Sequence, residues 1–109
     1  MAIEESMLVG QPDGQSAAMD REVLTAMCLA RTDQAEEKSA EWYAFGTAGA
    51  FLSGKGSLAW VRRELQKARK DCLFYAERDG DAPDAQYGTY RNYMMTKATI
   101  YQNLLFALR

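Results

Sequence analysis

An apolar seam in the second half of the chain is the feature that most constrains the fold. The seam follows Ser57 and alternates at three- and four-residue spacing through Leu58, Val61, Leu65, Ala68, Cys72 and Tyr75. This spacing predicts a long amphipathic helix that packs its apolar side on another helix. Ser57 is a suitable N-cap for that helix.

A second apolar helix is predicted directly after the seam. Residues 79 to 84 read Asp-Gly-Asp-Ala-Pro-Asp, a turn followed by a new helix start with Pro83 and Asp84 in its first turn. The last helix then carries Tyr87, Tyr90, Met94, Ala98, Tyr101, Leu105 and Leu108. Because the turn is short, the two helices should fold back as an antiparallel hairpin over residues 57 to 108.

The first half of the chain predicts shorter elements. Residues 1 to 15 lack periodicity and indicate a flexible N-terminal arm, and Ser16 is a candidate N-cap for a first helix. We expect a bend near Thr32, a capping box formed by Asp33 and Glu36, and a second helix that ends at residues 54 to 56. Its small residues Gly46, Gly49 and Ala50 would allow another backbone to approach closely.

Together these patterns predict one all-α domain over residues 16 to 109. It is a small helical bundle built on the C-terminal hairpin, with two shorter N-terminal helices. The chain has 109 residues, of which 48% are hydrophobic and 26% charged, and it has few valines or isoleucines, so strands are not expected. Neither an apolar leader nor a run of about twenty apolar residues is present, which favours a cytoplasmic protein with no membrane contact.

Catalysis is not predicted. The segment from Gly49 to Gly56 resembles a phosphate-binding loop, but Gly56 replaces the expected Ser or Thr and the preceding run looks helical. The chain has no histidine, and its two cysteines, Cys28 and Cys72, are typical of buried free thiols. Asp33, Glu37 and Glu41 could bind a hard cation, although a solvated acidic face is the favoured interpretation. We therefore predict that the protein is not an enzyme and that it binds no cofactor and no metal ion.

The sequence favours a role in protein–protein contacts, because the chain has more apolar side chains than one helix–helix seam can bury. The last helix is apolar nearly all round, and Trp60 and Phe74 lie away from the seam. The predicted interface residues are Trp60, Arg63, Lys67, Lys70, Phe74, Tyr93, Met95 and Phe106. A monomeric four-helix bundle would also bury some of these residues, but a homo-oligomer or obligate complex is the favoured interpretation.

Charge supports association between copies. Residues 1 to 53 hold nine acids and three bases, whereas residues 54 to 109 hold ten bases and six acids. The leading hypothesis is a non-enzymatic assembly or adaptor protein that binds a protein partner. A viral or phage assembly component and a chaperone-like adaptor both fit this description.

Two alternatives remain open. One is a nucleic-acid-binding regulator that uses the basic, aromatic face of the third helix; the other is a small inhibitor that occludes a host protein. Nucleic acid is less favoured because Glu64 and Asp71 are predicted on the same face, Lys67 and Asp71 are spaced to pair, and the net charge is −2.

Overall fold

The computed structural model describes residues 20 to 108. Within this range the chain forms helices α1 (Arg21–Gln34), α2 (Ala40–Ser53), α3 (Leu58–Asp79) and α4 (Tyr90–Ala107), with strands β1 (Pro83–Asp84) and β2 (Gly88–Thr89) between the last two. The predicted all-α class with two shorter N-terminal helices is confirmed. The predicted arm and the Ser16 cap lie outside the described residues. No helix in this range has the length and apolarity to cross a membrane.

The predicted C-terminal hairpin is present as the α3–α4 pair, which forms the most extensive helix–helix interface. Val61, Leu65 and Cys72 of the predicted seam are buried, as the spacing requires. Tyr75 is the exception, because Ala76 takes the buried position at the end of the seam while Tyr75 stays 37% exposed. Ala76, four residues after Cys72, faces the core, and Tyr75 lies at the edge of the core.

The connection between α3 and α4 differs from the prediction. The last helix begins at Tyr90 instead of near Pro83, and residues 83 to 89 form a two-stranded antiparallel ladder that pairs Pro83 with Thr89. The Asp84 carboxylate accepts from the amides of Gln86 and Tyr87 at 2.9 and 2.8 Å, which closes a turn that competes with helix. The expectation of no strands is therefore wrong at this site.

The connection between α1 and α2 also differs. No bend occurs at Thr32, whose hydroxyl donates to the Cys28 carbonyl at 2.8 Å within a helix that continues to Gln34. The predicted capping box at Asp33 and Glu36 does not form. The chain turns later, through Lys38 at a φ of 70°, and Ser39 caps α2 by accepting from the Trp42 amide at 3.1 Å.

Gly46 and Gly49 of α2 lie against side chains of α1, as predicted for these small residues. A Cβ at Gly49 would lie 3.2 Å from the Leu29 side chain, and one at Gly46 would lie 3.6 Å from Thr32. In turn, α2 packs on α4 and less extensively on α3. Among the described helices, α1 therefore packs mainly on α2, and α3 packs mainly on α4.

The α2–α3 linker confirms the predicted helix end and start. Gly54 is the C-cap of α2, and the Ser57 hydroxyl accepts from the Trp60 amide at 3.1 Å at the start of α3. Between them, Gly56 lies directly against the indole of Trp60, where a Cβ would overlap the ring. The segment is therefore a helix end joined to a helix start, and it is preceded by a helix where a phosphate-binding loop needs a strand.

Candidate protein-binding surfaces

The outermost side of α3 carries a ridge of three cations and one aromatic ring. Arg63, Lys67, Lys70 and Phe74 follow one another at spacings of four, three and four residues, and all four are exposed. They project away from the buried seam because these spacings keep side chains on one face of a helix. We call these four residues the basic ridge.

Within residues 20 to 108, no carboxylate forms an ion pair with a cation of the basic ridge. Within residues 20 to 108, ion pairs join Arg78 to Asp79 and Arg91 to Asp81. The predicted pairing of Lys67 with Asp71 does not form, and Glu64 is half-buried to one side of the ridge. Three adjacent cations that have no acidic partner among the described residues favour an acidic ligand.

The two aromatic residues predicted to bracket this face have different environments. Trp60 is half-buried and meets the Phe51 ring edge-on, with 5.7 Å between ring centroids, so much of its area contacts its own chain. Phe74 is 56% exposed and packs edge-on against Tyr75. Arg78 lies over both rings, at 5.7 Å from Phe74 and 5.0 Å from Tyr75. Aromatic rings beside arginine are typical of strong protein contacts.

The predicted interface residues of α4 also separate into two environments. Tyr93 is half-buried, stacks on Tyr90 with 6.0 Å between centroids, and lies beneath the Lys97 ammonium. Burial raises its pKa to about 12. Met95 and Phe106 are 42% and 43% exposed and point outward from the bundle. The structure thus leaves Met95 and Phe106 exposed and places Tyr93 in an aromatic cluster.

A groove between α1 and α4 is the feature that the sequence patterns missed. It has a volume of about 430 Å³, Phe45 of α2 forms its floor, and Arg31 of α1 lines the opposite wall. The α4 wall is made of Asn92, Met95, Thr96, Thr99, Ile100 and Asn103. Between residues 92 and 108, Lys97 is the single charged residue, and it points away from the groove toward Tyr43. This long run with a single charged residue was the sequence signal that could have indicated the groove.

One end of the groove is held by a hydrogen-bonded tyrosine. The Tyr87 hydroxyl accepts from the Ala40 amide and donates to the Glu41 carboxylate, both at 2.7 Å. Next to it, the Gln86 side-chain amide donates to Glu36 at 2.7 Å. Burial, together with the hydrogen bond to Glu41, raises the pKa of Tyr87 above its usual range. The β-hairpin thereby fixes the start of α2, and with it the position of Glu41 in the groove.

Neither thiol of the chain is placed for chemistry. Cys28 and Cys72 are both buried and unpaired. Burial raises the pKa of Cys28 to about 12 and also raises that of Cys72, so the reactive thiolate is disfavoured at both. Among the described residues, no three cysteine or acidic side chains converge on a point where they could hold a metal ion.

The exposed surfaces with the chemistry of a protein-binding site are therefore the basic ridge of α3 and the groove beside α4. Comparisons of this chain with models of protein families, with curated proteins and with solved structures give no match.

Proposed function

We propose that this protein is a non-enzymatic helical adaptor that acts through protein–protein contacts, self-association among them. Binding of a partner protein is assigned to the groove between α1 and α4. The uncharged α4 wall is the observation that carries this assignment. Charged residues are depleted at the centres of protein interfaces, whereas an ordinary solvent-facing helix carries them at most exposed positions.

The shape of the groove fits an amphipathic helix of the partner. The α4 wall from Asn92 to Asn103 extends about 16 Å along the helix axis, which corresponds to about three turns of a docked helix. Met95 and Ile100 offer apolar contact area, and Phe45 closes the floor. Helices bind such grooves through apolar side chains spaced three and four residues apart.

Polar groups along the rim favour a specific orientation of that helix. Asn92 and Asn103 stand near the two ends of the α4 wall, with Thr96 and Thr99 between them. The Thr96 and Thr99 hydroxyls donate to carbonyls of their own helix and keep acceptor lone pairs for donors of the partner. The Asn103 amide can both donate and accept hydrogen bonds. A rim of this kind surrounds an apolar centre in most specific interfaces.

Affinity purification with quantitative mass spectrometry tests this function. Wild type is compared with Thr99→Arg, which places a charge inside the groove at an exposed position, and with Gln66→Arg, which adds the same charge on exposed α3. A partner protein should be enriched by wild type and Gln66→Arg and lost with Thr99→Arg. The purified partner should then bind in vitro with the same order of affinities.

One outcome would contradict the assignment of partner binding to the groove. If every protein enriched by wild type is enriched to the same degree by Thr99→Arg, the groove is not the binding site. Circular dichroism of the three proteins should agree, because residues 66 and 99 are both exposed and neither belongs to the core. A hydrolase or transferase activity that depended on a described residue would contradict the non-enzymatic part of the proposal.

A further inference from the structure

The outer face of α1 complements the basic ridge of α3 in both charge and shape. On the side away from its buried residues, α1 exposes Val23, Ala26, Leu29 and Ala30, and Leu29 also borders Gly49 of α2. Val23 is 55% exposed and Leu29 is 49% exposed, which is high for large apolar side chains. The two alanines form a flat centre on which another helix can lie closely. We call these four residues the α1 face.

Acidic residues extend the α1 face at its C-terminal end. Asp33 lies on the same side of α1 as Ala26 and Ala30, and Glu36 and Glu37 follow in the turn; all three carboxylates are exposed. Glu22 adds a further exposed acid at the N-terminal end. The face is therefore apolar in the middle and acidic at both ends.

We propose that the α1 face of one copy docks antiparallel on the basic ridge of a second copy. In this orientation Asp33 meets Lys67 and Glu37 meets Arg63, while Val23 lies near Phe74. The lengths agree, since the rise from Val23 to Asp33 and the rise from Arg63 to Phe74 are about 15 and 16 Å along their helices. This inference rests on the self-association in the proposed function and names its two surfaces.

The contact is heterologous and cannot be made within one molecule. Among the described helices, α1 packs mainly on α2 and α3 mainly on α4, so the two surfaces belong to different parts of a single rigid bundle. Each copy therefore presents one acidic and one basic surface. Head-to-tail contacts of this type produce a ring when the rotation closes and an open filament when it does not.

Paired charge reversals test the contact. One variant carries Arg63→Glu and Lys67→Glu, so that both of its surfaces are acidic; the other carries Asp33→Lys and Glu37→Lys, so that both are basic. All four positions are exposed, and circular dichroism should show that both variants fold. Sedimentation velocity is measured at low salt for wild type, for each variant alone and for their equimolar mixture.

Wild type should associate with increasing concentration, and each variant alone should be weakened on the order of tenfold or more, because like charges then face each other. The mixture should recover association, since the acidic ridge of one variant meets the basic α1 face of the other. Added salt should weaken wild-type assembly.

Three results would overturn the inference, and they are distinguishable. If wild type associates and both variants associate equally well, these surfaces are wrong although self-association stands. If wild type stays monomeric at several hundred micromolar, self-association itself fails, while capture of a partner by the groove is still decided separately. If wild type stays monomeric but binds random duplex DNA, and Arg63→Glu with Lys67→Glu abolishes that binding, the ridge serves nucleic acid instead.

Discussion

Replacing Tyr87 with phenylalanine is the sharpest test of how the β-hairpin supports the groove. The substitution removes one oxygen and leaves the ring in place. That oxygen accepts from the Ala40 amide and donates to the Glu41 carboxylate, both at 2.7 Å. Ala40 is 0% exposed, so its amide would lose its acceptor in a site that water reaches poorly.

The expected cost follows from these two bonds. A buried amide left without an acceptor costs about 1–3 kcal/mol. Loss of the bond to Glu41 costs less, because that carboxylate is half-exposed and can regain water. We therefore expect Tyr87→Phe to lower the free energy of unfolding by about 2 kcal/mol. For a domain of this size the melting temperature should fall on the order of 10 °C.

Urea denaturation followed by circular dichroism measures this change, and Tyr90→Phe is the matched control. Tyr90 lies three residues away, in the same aromatic cluster, and its hydroxyl makes no hydrogen bond within the described residues. It should stay within about 0.5 kcal/mol of wild type. Equal destabilisation by the two variants, or an unchanged midpoint for Tyr87→Phe, would refute the hydrogen-bonding role of Tyr87.

Three further predictions concern the core and the α2–α3 linker. Gly56→Ala should lower the free energy of unfolding by about 1–3 kcal/mol in urea titrations, because the new methyl group overlaps the Trp60 ring. Gly54→Ala is the control and should cost less, because its methyl group would lie 3.4 and 3.6 Å from the nearest atoms. At pH 8, Cys28 should react with a thiol reagent only at the rate of unfolding; rapid labelling of native protein would contradict its burial and its pKa of about 12. Burial likewise raises the pKa of Tyr101 to about 12, so the unfolded chain loses the hydroxyl proton at a lower pH than the folded protein. The free energy of unfolding should therefore fall as pH rises above about 10. Tyr101→Phe should flatten this decline, and an unchanged slope would contradict the role of Tyr101.

Several elements of the fold could be predicted from local sequence alone. The seam through Leu65, the Ser57 cap and the helix end at Gly54 are each set by side-chain spacing or by one backbone hydrogen bond near in sequence. Signals of this kind depend on the helical repeat of 3.6 residues and on capping chemistry, which hold whatever the rest of the chain does. They were enough for the all-α class and for the C-terminal hairpin.

The two connections were mispredicted because several local signals competed there. Asp33 with Glu36 resembles a capping box, yet Ser39 is the residue that caps α2. Pro83 and Asp84 resemble a helix start, yet Asp84 closes a turn and the Thr89 side chain caps α4 instead. Each choice depends on partners distant in sequence, such as the bond between Tyr87 and Ala40.

Local sequence was enough to predict the number and class of the helices, the seam and the outward position of the basic ridge, because helical spacing places Arg63, Lys67 and Phe74 on one side. The packed fold was needed to see that Lys67 forms no ion pair within residues 20 to 108 and that Trp60 packs partly into its own chain. The groove belongs wholly to the tertiary structure. Its walls come from α1, α2 and α4, and the packing of those helices brings together side chains that no local pattern relates.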